Sequence, residues 1–226
     1  MIIPARFNGP PGSANGGYAC GLFSEALGGG FEITLLRPPP LDTQLDMVGD
    51  ELRHGGVVVA RARRAAHSDA DVPAPVSLAE AEDASRRYPG FEHHAYPTCF
   101  TCGPERDDGL GIFAGPVAGR EGVVAAPWTP KPDVRAEIVW AALDCPSGWA
   151  VDDFQREGLL LGRMAASIHT RPEPGEAHVV VGWRIGEESR KRFAGSALYT
   201  ADGDLVAHSR STWIMSATER DPVREA

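Results

Sequence analysis

Short apolar runs, broken at close intervals by glycine and proline, follow one another along this chain in two similar series. From Asn15 to Leu27 the residues are small and apolar, with Tyr18, Leu22 and Phe23 at helical spacing and Gly28-Gly29-Gly30 as terminator. That pattern predicts a buried helix. After it, Phe31 to Leu36, Thr43 to Val48 and Val57 to Ala62 read as short strands, separated by Arg37-Pro38-Pro39-Pro40 and by a Gly55-Gly56 turn. A second helix is expected over Glu137 to Cys145, with Ile138, Ala141, Ala142 and Cys145 on one face and Pro146 as its stop. A strand precedes it near Gly122 to Pro127. Four more follow: Leu159 to Ile168, His178 to Ile185, Phe193 to Thr200 and Leu205 to Ile214, the last two joined by the hairpin turn Ala201-Asp202-Gly203-Asp204.

The two series carry matching landmarks. Arg37-Pro38-Pro39-Pro40 and Arg171-Pro172-Glu173-Pro174 each end the first strand after a helix, and Val58-Val59-Ala60 and Leu205-Val206-Ala207 each begin a final strand. This is a weak internal repeat, with the first copy shorter by about one strand between those landmarks. The division is residues 1–66 for the first copy, 67–98 for a linker, 99–216 for the second copy and 217–226 for a frayed tail. Within the linker, Ser77 and Glu80 form a capping box that opens a short helix ended by Pro89-Gly90.

Composition narrows the class. The chain has 226 residues, enough for one large domain or two compact copies of roughly 110. It is 42% hydrophobic and 23% charged, which excludes a wholly disordered protein, and its 26 Gly and 19 Pro favour short strands. No apolar run reaches the about 18 residues of a membrane span, and the N-terminus lacks the order of a signal peptide, so the expectation is a cytoplasmic protein with no membrane span. The 22 basic and 31 acidic residues give a net charge of −9, which argues against nucleic acid as a partner.

Four cysteines in such a chain read as reduced thiols. His93-His94 followed by Cys99-Phe100-Thr101-Cys102-Gly103 has the outline of a four-ligand zinc site. It lacks a second cysteine pair, and adjacent histidines seldom share one ion, so packing of the thiols as small apolar groups is the favoured reading and no metal or cofactor is expected. Cys20 and Cys145 fall on the two helices and read as core. Trp140 and Trp149 are candidate walls of a substrate pocket.

An antiparallel sheet wrapped around a buried helix, twice in one chain, resembles the hotdog fold. Asn15-Gly16-Gly17-Tyr18 with Leu36-Arg37-Pro38, and Trp140-Ala141-Ala142-Leu143-Asp144 with Asp202-Gly203-Asp204-Leu205-Val206-Ala207, make residues 6 to 216 similar to the double-hotdog acyl-CoA thioesterases. The resemblance implies an α+β double hotdog in which one chain forms a pseudo-dimer. It also implies metal-free cleavage, with helix-terminal N–H groups polarising the thioester carbonyl while a carboxylate acts as base or nucleophile. Gly16 and Gly17 would face Asp144 in one composite site, and the opposite site, from Ala136, Glu137 and Ser24, would be degenerate. Asn15, Tyr18 and Trp140 would contact substrate; Arg184, Arg190 and Arg192 would meet coenzyme A phosphates.

The family pattern also places a Thr and a Gln beside the acid. The matching positions here fall near Gly162 or Arg163 and near Ser211, with Ser209 or Thr212 if the register slips. That departure keeps two further classes open: a non-catalytic acyl-CoA or lipid-binding protein, and a hydratase or dehydratase, for which His169 is the candidate base. Exposed sheet edges suggest a homo-oligomer.

Overall fold

The computed structural model describes residues 1–66, 72–151 and 159–215. The first helix, α1 (Gly16–Ala26), starts where Asn15 Oδ1 accepts the Tyr18 N–H at 2.8 Å and stops where Gly28, Gly29 and Gly30 take φ of 92°, 78° and 76°. Three consecutive left-handed residues are accessible to glycine and costly to other types. The strands β1 (Phe31–Leu35), β2 (Asp46–Val48), β3 (Glu51–His54) and β4 (Val57–Arg64) follow, then α2 (Leu78–Arg86), β5 (Gly115–Pro116) and β6 (Val123–Trp128). The chain continues through α3 (Ala136–Trp149), β7 (Leu159–Ile168), β8 (His178–Glu188), β9 (Lys191–Thr200) and β10 (Leu205–Met215).

All ten strands form one antiparallel sheet in the order β2-β3-β4-β1-β7-β10-β9-β8-β6-β5. The two copies meet where β1 pairs with β7, Ile33 opposite Met164. Outward from that seam run β1-β4-β3-β2 on one side and β7-β10-β9-β8 on the other, so each copy places two strands between its landmarks. The sequence expectation of a strand missing there is corrected: β3, whose Glu-Leu-Arg-His carries little β signal, supplies it. What distinguishes the second copy is the strand before its helix. β6 pairs with β8, and the described residues before α1 form only isolated bridges.

Helices α1 and α3 pack against each other on one face of the sheet. A Cβ on Gly17 would lie 2.5 Å from Asp144 Cβ and 2.6 Å from the Trp140 carbonyl oxygen; one on Gly21 would lie 2.7 Å from Trp140 Cγ. The glycines one turn apart are therefore the contact face, and Trp140 fills the space between the helices rather than walling a pocket. Pro146 does not end α3, contrary to expectation. Hydroxyls supply donors to carbonyls near the break: Thr101 to Ala141, Ser196 to Leu143 and Ser147 to Asp144. The helix continues through the proline, and these donors serve carbonyls on either side of Ala142, the residue whose ladder bond Pro146 cannot make.

The segment expected as a linker is a structural layer. Ala81 and Ala84 of α2 are fully buried with Ala125, Val179, Val181, Trp183 and Tyr199, a cluster separate from that around α1 and α3. Residues 67–71 lie outside the described residues, as does the tail from 216. The capping box is present in both directions, Ser77 N–H to Glu80 Oε2 at 3.0 Å and Glu80 N–H to Ser77 Oγ at 3.3 Å. Ser77→Ala is expected to cost about 1 kcal/mol, measured by urea denaturation; an unchanged midpoint would mean that α2 contributes nothing to the cooperative unit.

Candidate active site

The site lies where the N-terminus of α1 crosses the middle of α3. The Gly17 N–H donates to Asp144 Oδ2 at 2.9 Å, joining a backbone donor of the first copy to a carboxylate of the second. Asp144 is 2% exposed, and its Oδ1 has no hydrogen-bond partner among the described residues. Burial lifts the Asp144 carboxyl to about 7, with the Gly17 N–H and, more weakly, the nearby Asn15 amide pulling the other way. The Gly16 N–H is the first of the helix, so it has no intrahelical acceptor.

A cavity of about 290 Å³ opens onto this corner. Its buried end is formed by Asn15, Gly16, Asp144, Cys99 and Cys145; Leu35, Leu161, Trp213 and Ile214 give apolar walls; Arg37 and Arg190 stand exposed at the rim. The arrangement offers an unpaired carboxylate oxygen and a helix N-terminal amide at the end of a largely apolar channel.

Other expected site residues lie elsewhere. Tyr18 stacks on Phe7 with centroids 3.9 Å apart, and burial raises its hydroxyl to about 12; it is a core residue. Arg184 and Arg192 both pair with Glu187, at 3.2 and 3.4 Å, and neither lines the cavity. Arg190 does, and Arg37, which sequence reasoning passed over as a turn residue, joins it. Ser211 is buried, and its Oγ has no hydrogen-bond partner among the described residues, but it does not line the cavity. Ser209 is tied to Ser196 at 2.7 Å. Gly162 does line the cavity, as the extra residue of a bulge where Thr212 pairs with Arg163 and Trp213 with Leu161, yet it brings no side chain to hold water. Arg163 turns to Thr34 Oγ1 at 3.1 Å.

Among the described residues the opposite corner has no comparable pair. Arg135 holds Glu137 at 2.9 Å, and Ser24 Oγ accepts the Phe31 N–H. His169 contacts His208 at 3.2 Å, outside the cavity lining.

The cysteine motif is brought together differently from its sequence outline. His93 is exposed. His94 Nε2 lies 3.4 Å from Cys102 Sγ, and Cys145, read from sequence as core, stands with Cys99 and Cys102, its Sγ 3.7 Å from Cys99 Sγ. The pairing of residue 145 with the loop had no local signal, since 46 positions separate it from Cys99.

No family model and no curated protein matches the chain. Solved structures do. A candidate thioesterase from Novosphingobium aromaticivorans aligns over 95% of this chain and 93% of its own, with a TM-score of 0.62 and 14% identity. The tesB protein of Mycobacterium avium subspecies paratuberculosis aligns over 96% and 91%, at 0.59 and 12%. A hot dog fold protein of unknown function from Alicyclobacillus acidocaldarius aligns over 96% and 92%, at 0.61 and 12%. Such identities establish architecture, and with two helices clasped by one continuous sheet and joined at the β1–β7 seam, this chain has the double-hotdog fold.

Proposed function

We propose that the chain hydrolyses an acyl thioester, with coenzyme A as carrier, at this one composite site. The observation that supports it most is the Gly17–Asp144 pair: a buried carboxylate with one free oxygen, set by an amide of the other copy at the end of an apolar cavity. In this reading Gly17 positions the acid, so the donor left for the carbonyl oxygen is the Gly16 N–H at the positive end of α1. Asp144 takes a proton from water as the water attacks the acyl carbon; the C–S bond breaks and the thiolate leaves. The apolar walls accept the acyl chain. Arg37 and Arg190 meet the phosphates.

A second reading, thioester binding without hydrolysis, is favoured by one specific feature: the bulge residue Gly162 and the off-cavity Ser211 supply no side chain to orient water. Loss of thioester absorbance from a panel of short, long and aromatic acyl-CoAs separates the two. Turnover of at least one member is the expected result; tight binding with no turnover of any would replace hydrolysis by carriage.

Arg37→Ala with Arg190→Ala is expected to raise KM for acyl-CoA on the order of tenfold, to leave kcat unchanged, and to lose most of that effect in high salt. An unchanged KM would remove the rim arginines from substrate recognition.

A further inference from the structure

We propose that Cys99, Cys102 and Cys145 bind one thiophilic divalent ion, Zn²⁺ in class, as three thiolate ligands. Their sulfurs all lie within 4.8 Å of one another. The Cys99–Cys145 separation of 3.7 Å matches the edge of a tetrahedron with Zn–S bonds of about 2.3 Å, which is about 3.8 Å.

The surroundings are those of a ligand set rather than of packed thiols. Cys99-Phe100-Thr101-Cys102-Gly103 forms a tight turn, with the Gly103 N–H on the Cys99 carbonyl at 2.9 Å. Glycine is required at its end, because a Cβ on Gly103 would lie 2.4 Å from the Cys99 nitrogen and 2.5 Å from the Pro97 oxygen. Asn15 adds a fixed donor. Its Oδ1 is committed to the Tyr18 N–H, which turns its Nδ2 to Cys99 and Cys145 sulfur, each at 3.9 Å, and to Thr101 Oγ1 at 3.3 Å. His94 Nδ1 accepts the Tyr96 N–H, so its Nε2–H faces Cys102, 3.4 Å from the sulfur and 3.2 Å from the carbonyl oxygen. Every sulfur of the cluster thus meets a nitrogen donor, the second-shell pattern that favours thiolates.

Three buried thiolates beside Asp144 would be untenable without a cation. A divalent ion removes that conflict, releasing up to three thiol protons as it binds. It also ties the loop at Cys99 to α3 one residue from Asp144, so it would fix the loop against the helix that carries the acid.

The test is metal analysis of the full chain purified under reducing conditions, followed by Co²⁺ titration of the stripped protein. About one zinc per chain is expected, with an intense near-ultraviolet thiolate-to-cobalt band saturating at one equivalent. Cys99→Ser, Cys102→Ser and Cys145→Ser should each reduce metal content tenfold or more, and Cys20→Ser, buried in α1 outside the cluster, should retain it. The wild-type titration does not depend on any variant folding. Absence of metal after Zn²⁺ reconstitution, with no thiolate-to-cobalt band, would overturn the proposal, and so would metal retained in all three single variants.

Discussion

Asp144→Asn is expected to lower thioester hydrolysis by at least about a hundredfold, and by as much as ten-thousandfold, while acyl-CoA affinity stays within a few-fold of the wild type. The substitution is nearly isosteric, and an asparagine carbonyl oxygen can still accept the Gly17 N–H that Asp144 Oδ2 accepts. What it removes is the ability of the second oxygen, which has no hydrogen-bond partner among the described residues, to take a proton from water or to attack carbon. The loss should therefore appear in kcat, with KM little changed. Steady-state kinetics beside equilibrium binding of the same acyl-CoA makes the comparison. A variant that turned over at the wild-type rate would remove Asp144 from the chemistry, whatever the fold.

Gly17→Ala is the second large effect, and it acts through packing. The added methyl would meet Asp144 Cβ at 2.5 Å and the Trp140 carbonyl oxygen at 2.6 Å. Neither can swing aside, since one is fixed to the helix backbone and the other belongs to it. Overpacking of this kind costs about 1–3 kcal/mol, and any relief by separation of α1 from α3 also breaks the bond between Gly17 and Asp144. Stability and turnover are thus expected to fall together. Gly186, around which a Cβ would meet nothing within 4 Å and whose φ is not left-handed, gives the control: Gly186→Ala should stay within about 0.5 kcal/mol in the same urea titration. A Gly17→Ala protein as stable as the control would contradict the close helix crossing.

These two residues also mark what could be read from sequence and what could not. The Gly-Gly start of α1 and the acid on α3 are local features, whereas the expectation that they face each other came from the resemblance to double-hotdog chains and not from the residues alone. Pro146 was misleading because the packing around α3, including the Thr101 and Ser196 hydroxyls that reach its carbonyls, comes from distant parts of the chain. Tyr18 and Trp140 carried no mark separating core from pocket: both are large, apolar and helical, and only the side on which the helices cross decides. Arg184, Arg190 and Arg192 look alike in sequence, yet Glu187 engages two of them and the hairpin turn carries the third to the cavity rim. Cys145 joined Cys99 and Cys102 through tertiary packing alone.

The account rests on Asp144 and the start of α1 acting on one thioester carbonyl, and a crystal structure of the Asp144→Asn protein soaked with an acyl-CoA that the wild type hydrolyses tests that most directly. It predicts an intact thioester in the cavity, its carbonyl oxygen at about 3 Å from the Gly16 nitrogen, its acyl chain along Leu35 and Leu161, and its phosphates near Arg37 and Arg190. A thioester seated elsewhere, or one whose carbonyl points away from α1 and residue 144, would contradict it.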